Sequence, residues 1–281
     1  MIPAIFIASI LLIGALIPTT VTGQLLNQVL ADMVTGTDGD DNLEGSDNDD
    51  DIEGKGGNDK IDSKGGNDRN TGDKNEGDGD GGNDNIDSGD GDDRNVGDNS
   101  LGDGDGGDDV INSGDGNDFN RGDNEVGNGD GGDDVINSGA GDDTNFGDNE
   151  VGNGDGGNDN IDSGDGDDRN VGDNQIGDGD GGDDVINSGA GDDTNVGDNR
   201  FGSGDGGDDV INSGKGNDVN LGDNFEGNGA GGDDKINAAQ GDDELTGGGG
   251  ADKFKCGSGV DTVTDFNEAE GDKASGNCEI P

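Results

Sequence analysis

The chain has 281 residues, with 70 Asp and Glu against 14 Lys and Arg, for a formal charge of −56; Gly supplies 66 residues, aromatics 2%, and His, Trp and Tyr are absent. Such an acid excess excludes nucleic acid and anionic membrane surfaces as partners of the acidic region, because both require basic patches. The absence of His removes Ser-His-Asp and Cys-His catalysis and His-ligated zinc, whereas a multivalent cation or a basic partner surface fits the sign of the charge.

Residues 2–17, IPAIFIASILLIGALI, form an apolar run followed by PTTVTGQ. This predicts a signal peptide over 1–23, cleaved after Gly23. An uncleaved anchor is the alternative, since no Lys or Arg precedes the run, although it falls short of the ~20 residues of a span. Both readings put the repeats outside the cell. Residues 24–35 include QLLNQVLADMV, with apolar residues at helical spacing. They predict a short helical cap, which a solenoid needs to cover its first edge.

A 25-residue period then dominates the chain. GDGGNDNIDSGDGDDRNVGDNSL, beginning at Gly79, returns as GDGGDDVINSGDGNDFNRGDNEV at Gly104, and again from Gly129, Gly154, Gly179 and Gly204. A fixed period of this length signals a solenoid of stacked units. High charge and low hydrophobicity ordinarily mean disorder, but a disordered tail needs no register. From Gly36 the chain reads GTDGDDNLE, GSDNDDDIE, GKGGNDKID and SKGGNDRNT, each nine residues with Asp sixth. Seven residues, GDKNEGD, precede the restart at Gly79, so the 25-residue unit is nine plus nine plus seven.

These nonapeptides resemble the GGxGxDxUx repeat of the RTX family, where U is a large apolar residue. The match is best in GGGGADKFK (247–255) and CGSGVDTVT (256–264), and DFNEAEGDK (265–273) is similar to the tail that closes such proteins. The resemblance implies an all-β parallel β-roll or β-solenoid over 36–264, with a C-terminal cap or tail over 265–281. GGxGxD would form the turn and xUx a short strand with U inward. Calcium would lie between stacked turns, held by the sixth-position Asp and turn carbonyls. Elementary chemistry agrees: calcium takes 6–8 oxygen ligands in irregular geometry, and oxygen-only ligation favours calcium or magnesium over zinc or copper.

Carried over position by position, the candidate calcium ligands form two rows. The first is Asp59, Asp84, Asp109, Asp134, Asp159, Asp184, Asp209 and Asp234. The second is Asp68, Asp93, Asp118, Asp143, Asp168, Asp193, Asp218 and Asp243. Asp41 and Asp50 precede the two rows, and Asp252 and Asp261 follow them. Aspartates also cap glycine turns through their own backbone, but like charges stacked at strand spacing repel without a cation. Cys256 and Cys278 are too few and too far apart for a zinc ribbon. In an exported chain they read as a disulfide stapling the tail, with two free thiols as the alternative.

Two features depart from the family pattern. The eighth position of the second nonapeptide is Asn at Asn70, Asn95, Asn120, Asn145, Asn170, Asn195 and Asn220. Buried Asn needs paired amides, which a ladder of identical residues supplies; a binding role for the row is the alternative. The insert repeats GDN, with Asp98, Asp123, Asp148, Asp173 and Asp198, followed by an apolar residue at Leu101, Val126, Val151, Ile176 or Phe201. This predicts a third short strand, a three-sided coil and about three buried apolar side chains per interior coil, with the repeat Phe residues in the core. The GDN aspartates are either further cation ligands or Asx turns, and turn chemistry is favoured.

The functional expectation is a secreted or cell-surface calcium-binding repeat protein that folds on binding calcium. The alternative is an adhesin using a flat strand face. Ice binding is disfavoured, since Thr occurs in the relevant strand only at Thr71, Thr144, Thr194 and Thr246. No nucleophile–base pair is visible, so no enzyme is expected.

Overall fold

The computed structural model describes residues 33–74, 79–225 and 229–281. The expected signal peptide and most of the expected cap lie outside the described residues. Among the described residues every regular element is a strand, and all pairing is parallel.

Each first nonapeptide closes on a three-residue strand, such as Asn85–Asp87, Val110–Asn112, Val135–Asn137 and Asn160–Asp162. Alternation along a strand sends the central residue to one face and its neighbours to the other. Ile86, Ile111, Ile136 and Ile161 are therefore buried and stack in register. Leu43 and Ile61 extend this column at one end, Ile236 and Phe254 at the other. The strands form an eleven-stranded sheet.

The second, twelve-stranded sheet is built of longer strands, among them Arg94–Leu101, Phe119–Gly127, Thr144–Gly152 and Arg169–Ile176. Each contains both the second triplet and the insert. Pairing runs through Arg121↔Phe146, skips Gly122 and Gly147, and resumes at Asp123↔Asp148. The expected third strand is therefore a continuation of the second, interrupted only at the GDN glycine, and the coil has two sheets.

The apolar content of the core is lower than expected. Leu101, Val126 and Ile176 are 56%, 47% and 52% exposed, because the insert carries them to the outer face. Phe119 and Phe146 also lie outside the core. They flank the inward Asn on the outward face and stack with Arg94, Arg121 and Arg169, with guanidinium-to-ring distances of 4.9–5.5 Å. Such cation–π contacts retain the aromatic surface without burying it in the interior.

What fills the second sheet's inner face is amide. Asn95 Nδ2 donates to Ser88 Oγ and to Asn120 Oδ1, both at 2.9 Å, and the pattern repeats through Asn120, Asn145 and Asn170. Both amide hydrogens are thus used, and the buried polar column is satisfied by its own periodicity. The column ends where the insert ends. The outer coils repeat at 18 residues, and Ile52 and Leu245 occupy the slots beneath Asn70 and above Asn220.

At the N-terminal side, Met33–Thr35 is a strand paired with Asp51–Glu53, and Val34 packs on the core. The last residues of the expected helical cap thus form another rung, which pairs the edge directly. At the other end Lys273–Ser275 and Cys278–Glu279 add one rung to each sheet, and a disulfide joins Cys256 to Cys278 with Cα atoms 5.3 Å apart.

Candidate metal centre

The glycine turns bring the candidate aspartates into two continuous ladders along the solenoid. In the first, Oδ1 of each carboxylate accepts the backbone N–H of the preceding member: Asp59 to Asp84, Asp84 to Asp109 and Asp109 to Asp134, at 2.6–2.7 Å. The second repeats the geometry from Asp68 to Asp93 and Asp93 to Asp118. Asp41 and Asp50 begin the ladders, and Asp252 and Asp261 extend them at the 18-residue spacing. The turns themselves require glycine. Gly114 has φ of 95°, and a Cβ there would overlap the carbonyl of Gly89 one coil away, so only a residue free of Cβ fits.

The ladders differ in what surrounds the second oxygen. In the second ladder Asp68, Asp93 and Asp118 lie beside the buried hydroxyls of Ser63, Ser88 and Ser113, although those hydroxyls donate to backbone carbonyls one coil on and the Oδ2 atoms are left without a donor. In the first ladder Oδ2 of Asp84, Asp109 and Asp134 is likewise buried without a donor, but no hydroxyl lies beside it. What faces it is another carboxylate row, the GDN aspartates. Asp98 Oδ2 accepts the N–H of Gly107 and Asp123 Oδ2 that of Gly132, each 2.7 Å away and nine residues on. Their Oδ1 atoms have no donor. These residues are fully buried and do not cap their own turn, so the expectation of Asx turns at this corner is corrected.

The result is a file of three-carboxylate groups. Asp59, Asp73 and Asp84 form one, Asp98, Asp109 and Asp123 another, and Asp123, Asp134 and Asp148 the next; within each, one oxygen per residue lies within 4.8 Å of the others. Two aspartates were not legible as members of the ladders or groups. Asp73 lies in an insert that departs from the GDN pattern. Asp272 closes the first ladder by accepting the N–H of Asp252, at a 20-residue spacing that breaks the nonapeptide register.

The electrostatics follow from burial. Loss of water pushes the Asp84 carboxyl up to about 9, the Asp59 N–H opposes this, and the charges of Asp73, Asp98 and Asp59 add to it. Asp93 and Asp143 rise to about 7, again chiefly through burial. Asp109 and Asp134 are raised well above the ordinary carboxylate range by burial first and neighbouring carboxylates second. The charges acting on Asp134 are those of Asp123, Asp159, Asp109 and Asp148, all of one sign.

This arrangement suits a hard cation. The donors are oxygen only, several are buried acceptors without a proton donor, and their mutual repulsion requires a positive charge between them. Glycine makes the room: a Cβ at Gly97 would overlap Asp109 Oδ2, and one at Gly106 would overlap Asp123 Oδ2. Fold and site together define a parallel β-solenoid of calcium-binding repeats. The family model for the RTX calcium-binding nonapeptide repeat (4 copies) matches residues 35–69, 103–119, 170–194, 203–219 and 228–263. The chain belongs to that family. No curated protein matches it.

Proposed function

We propose that the protein is a secreted or cell-surface calcium-binding module whose solenoid assembles when calcium occupies its turns. The observation that carries this reading is the pair of aspartate ladders, buried from Asp50 onward and interacting mainly with one another's backbone and charge. In this reading the sixth-position aspartates, from Asp41 to Asp252 and from Asp50 to Asp261, hold the ions together with turn carbonyls. Calcium supplies the positive charge that the sequence does not.

The coupling to folding follows from composition. An interior coil is rich in glycine, buries one Ile and at most a second apolar side chain fully, and encloses several carboxylates. Such a coil does not offset the entropy of ordering its backbone, which is largest for Gly, and binding energy appears as folding energy when the site exists only in the fold. Extracellular calcium modules bind at about 10⁻⁴–10⁻³ M. A chain of this kind stays open in a low-calcium cytosol and closes outside, which agrees with the apolar run at 2–17 read as an export signal.

Far-UV circular dichroism of the full chain in EGTA and then in millimolar calcium tests the reading. A disordered spectrum converting to β is expected. A β spectrum unchanged by chelation overturns it.

A further inference from the structure

We propose that the GDN aspartates of the seven-residue insert are themselves cation ligands, holding one divalent ion per 25-residue coil together with the first ladder, with each GDN carboxylate shared between two successive ions. The inference rests on the reading that the repeats bind calcium, and adds residues lying outside the nonapeptide.

Three observations carry it. The first is orientation: Asp98 and Asp123 each spend one oxygen on a glycine N–H nine residues on and leave the other without a donor, in a position with no exposure to solvent. A carboxylate oxygen buried without a donor is costly unless a cation faces it. The second is sharing: Asp123 belongs both to the group with Asp98 and Asp109 and to the group with Asp134 and Asp148, so the groups from Asp98 onward form a connected file, with the Asp59, Asp73 and Asp84 group at its end. The third is charge. Each 25-residue coil contributes one first-ladder and one GDN carboxylate to the file, and one divalent ion neutralises that pair. The second ladder presents serine hydroxyls where the first presents the GDN row, so the insert distinguishes the two sides of the coil.

The chemistry selects an oxygen-seeking divalent cation able to accept bridging carboxylates, which calcium is and zinc, preferring nitrogen and sulfur, is not. The glycine positions facing the file keep it open: at Gly106 and Gly131 a side chain would occupy the space taken by Asp123 and Asp148.

Calcium stoichiometry of the full chain, by calorimetry and native mass spectrometry, tests this. Asp148→Asn keeps an oxygen for the N–H of Gly157 and removes the charge. It is expected to bind about two fewer ions than the wild type, with the β spectrum retained at saturating calcium. Asp73→Asn at the row's end is expected to bind at least one fewer, and it remains informative if the central variant does not fold, because a solenoid couples only nearest neighbours. A wild type that binds calcium alongside folded variants with an unchanged ion count overturns this inference while leaving the proposed function standing. A wild type that binds no calcium overturns both.

Discussion

Oδ1 of Asp109 accepts the backbone N–H of Asp84 at 2.7 Å across one coil, while Oδ2 of the same carboxylate is buried with no donor. One side chain therefore ties two coils together and presents a bare acceptor beside the GDN row. Asp109→Asn preserves an acceptor for the Asp84 N–H and deletes the charge, whereas Asp109→Ala deletes both. The alanine variant is expected to lose about 1.5–3 kcal/mol more than the asparagine variant, the value of a hydrogen bond to a charged group. Guanidinium titrations in saturating calcium measure the difference.

Acid acts in opposite directions with and without calcium. In the metal-free fold burial pushes the Asp93 and Asp143 carboxyls up to about 7 and that of Asp84 up to about 9. In the unfolded chain an Asp titrates near about 4. The fold thus binds protons more tightly than the open chain. That stabilisation is fully present below about pH 4 and is lost as pH rises through 7 to 9. In EGTA the β signal is expected to grow as pH falls from 8 to 4, by rough reference to those values. In calcium, protons compete with the ion, and the apparent affinity is expected to fall over the same range. Circular dichroism and calcium titrations at stepped pH check both arms.

The asparagine ladder has a vulnerable middle and a tolerant end. Asn145 donates to Ser138 Oγ at 2.8 Å and to Asn170 Oδ1 at 2.9 Å, and accepts from Asn120. Asn145→Ile leaves partners stranded on both sides and is expected to cost about 2–5 kcal/mol, since each buried unsatisfied group costs about 1–3. Asn70 follows Ile52, and its own Oδ1 already lacks a donor. Asn70→Ile moves that orphan acceptor to Asn95 and lengthens the apolar run, so a change within about 1 kcal/mol is expected. Denaturant midpoints in calcium measure both.

Glycine is required at some positions and incidental at others. A Cβ at Gly122 would overlap the Asp134 carboxylate, whereas one at Gly39 meets nothing within 4 Å. Gly122→Ala is expected to destabilise the calcium-loaded fold by about 1–3 kcal/mol or more through overpacking. Gly39→Ala is expected to be neutral or stabilising by up to about 1 kcal/mol through the unfolded state. Thermal melts of the calcium-loaded variants separate the two.

The sequence by itself determined the repeat, its division into nine, nine and seven, the parallel solenoid and the two aspartate ladders. These are legible because a solenoid repeats one local structure, and equal positions in successive units must stack. The asparagine ladder was legible for the same reason, since identical amides at one register can pair only with each other. What only the tertiary structure decided was the direction of the insert. GDN followed by an apolar residue predicts a corner and a buried third strand. Instead the segment continues the second strand, exposes Leu101 and Val126, and turns Asp98 and Asp123 inward against the first ladder. Periodicity records which residues stack along the axis, but not which rows meet across the coil. That meeting depends on strand continuity and on the space left by glycines such as Gly97 and Gly106, and it is what places the GDN carboxylates among the candidate ligands.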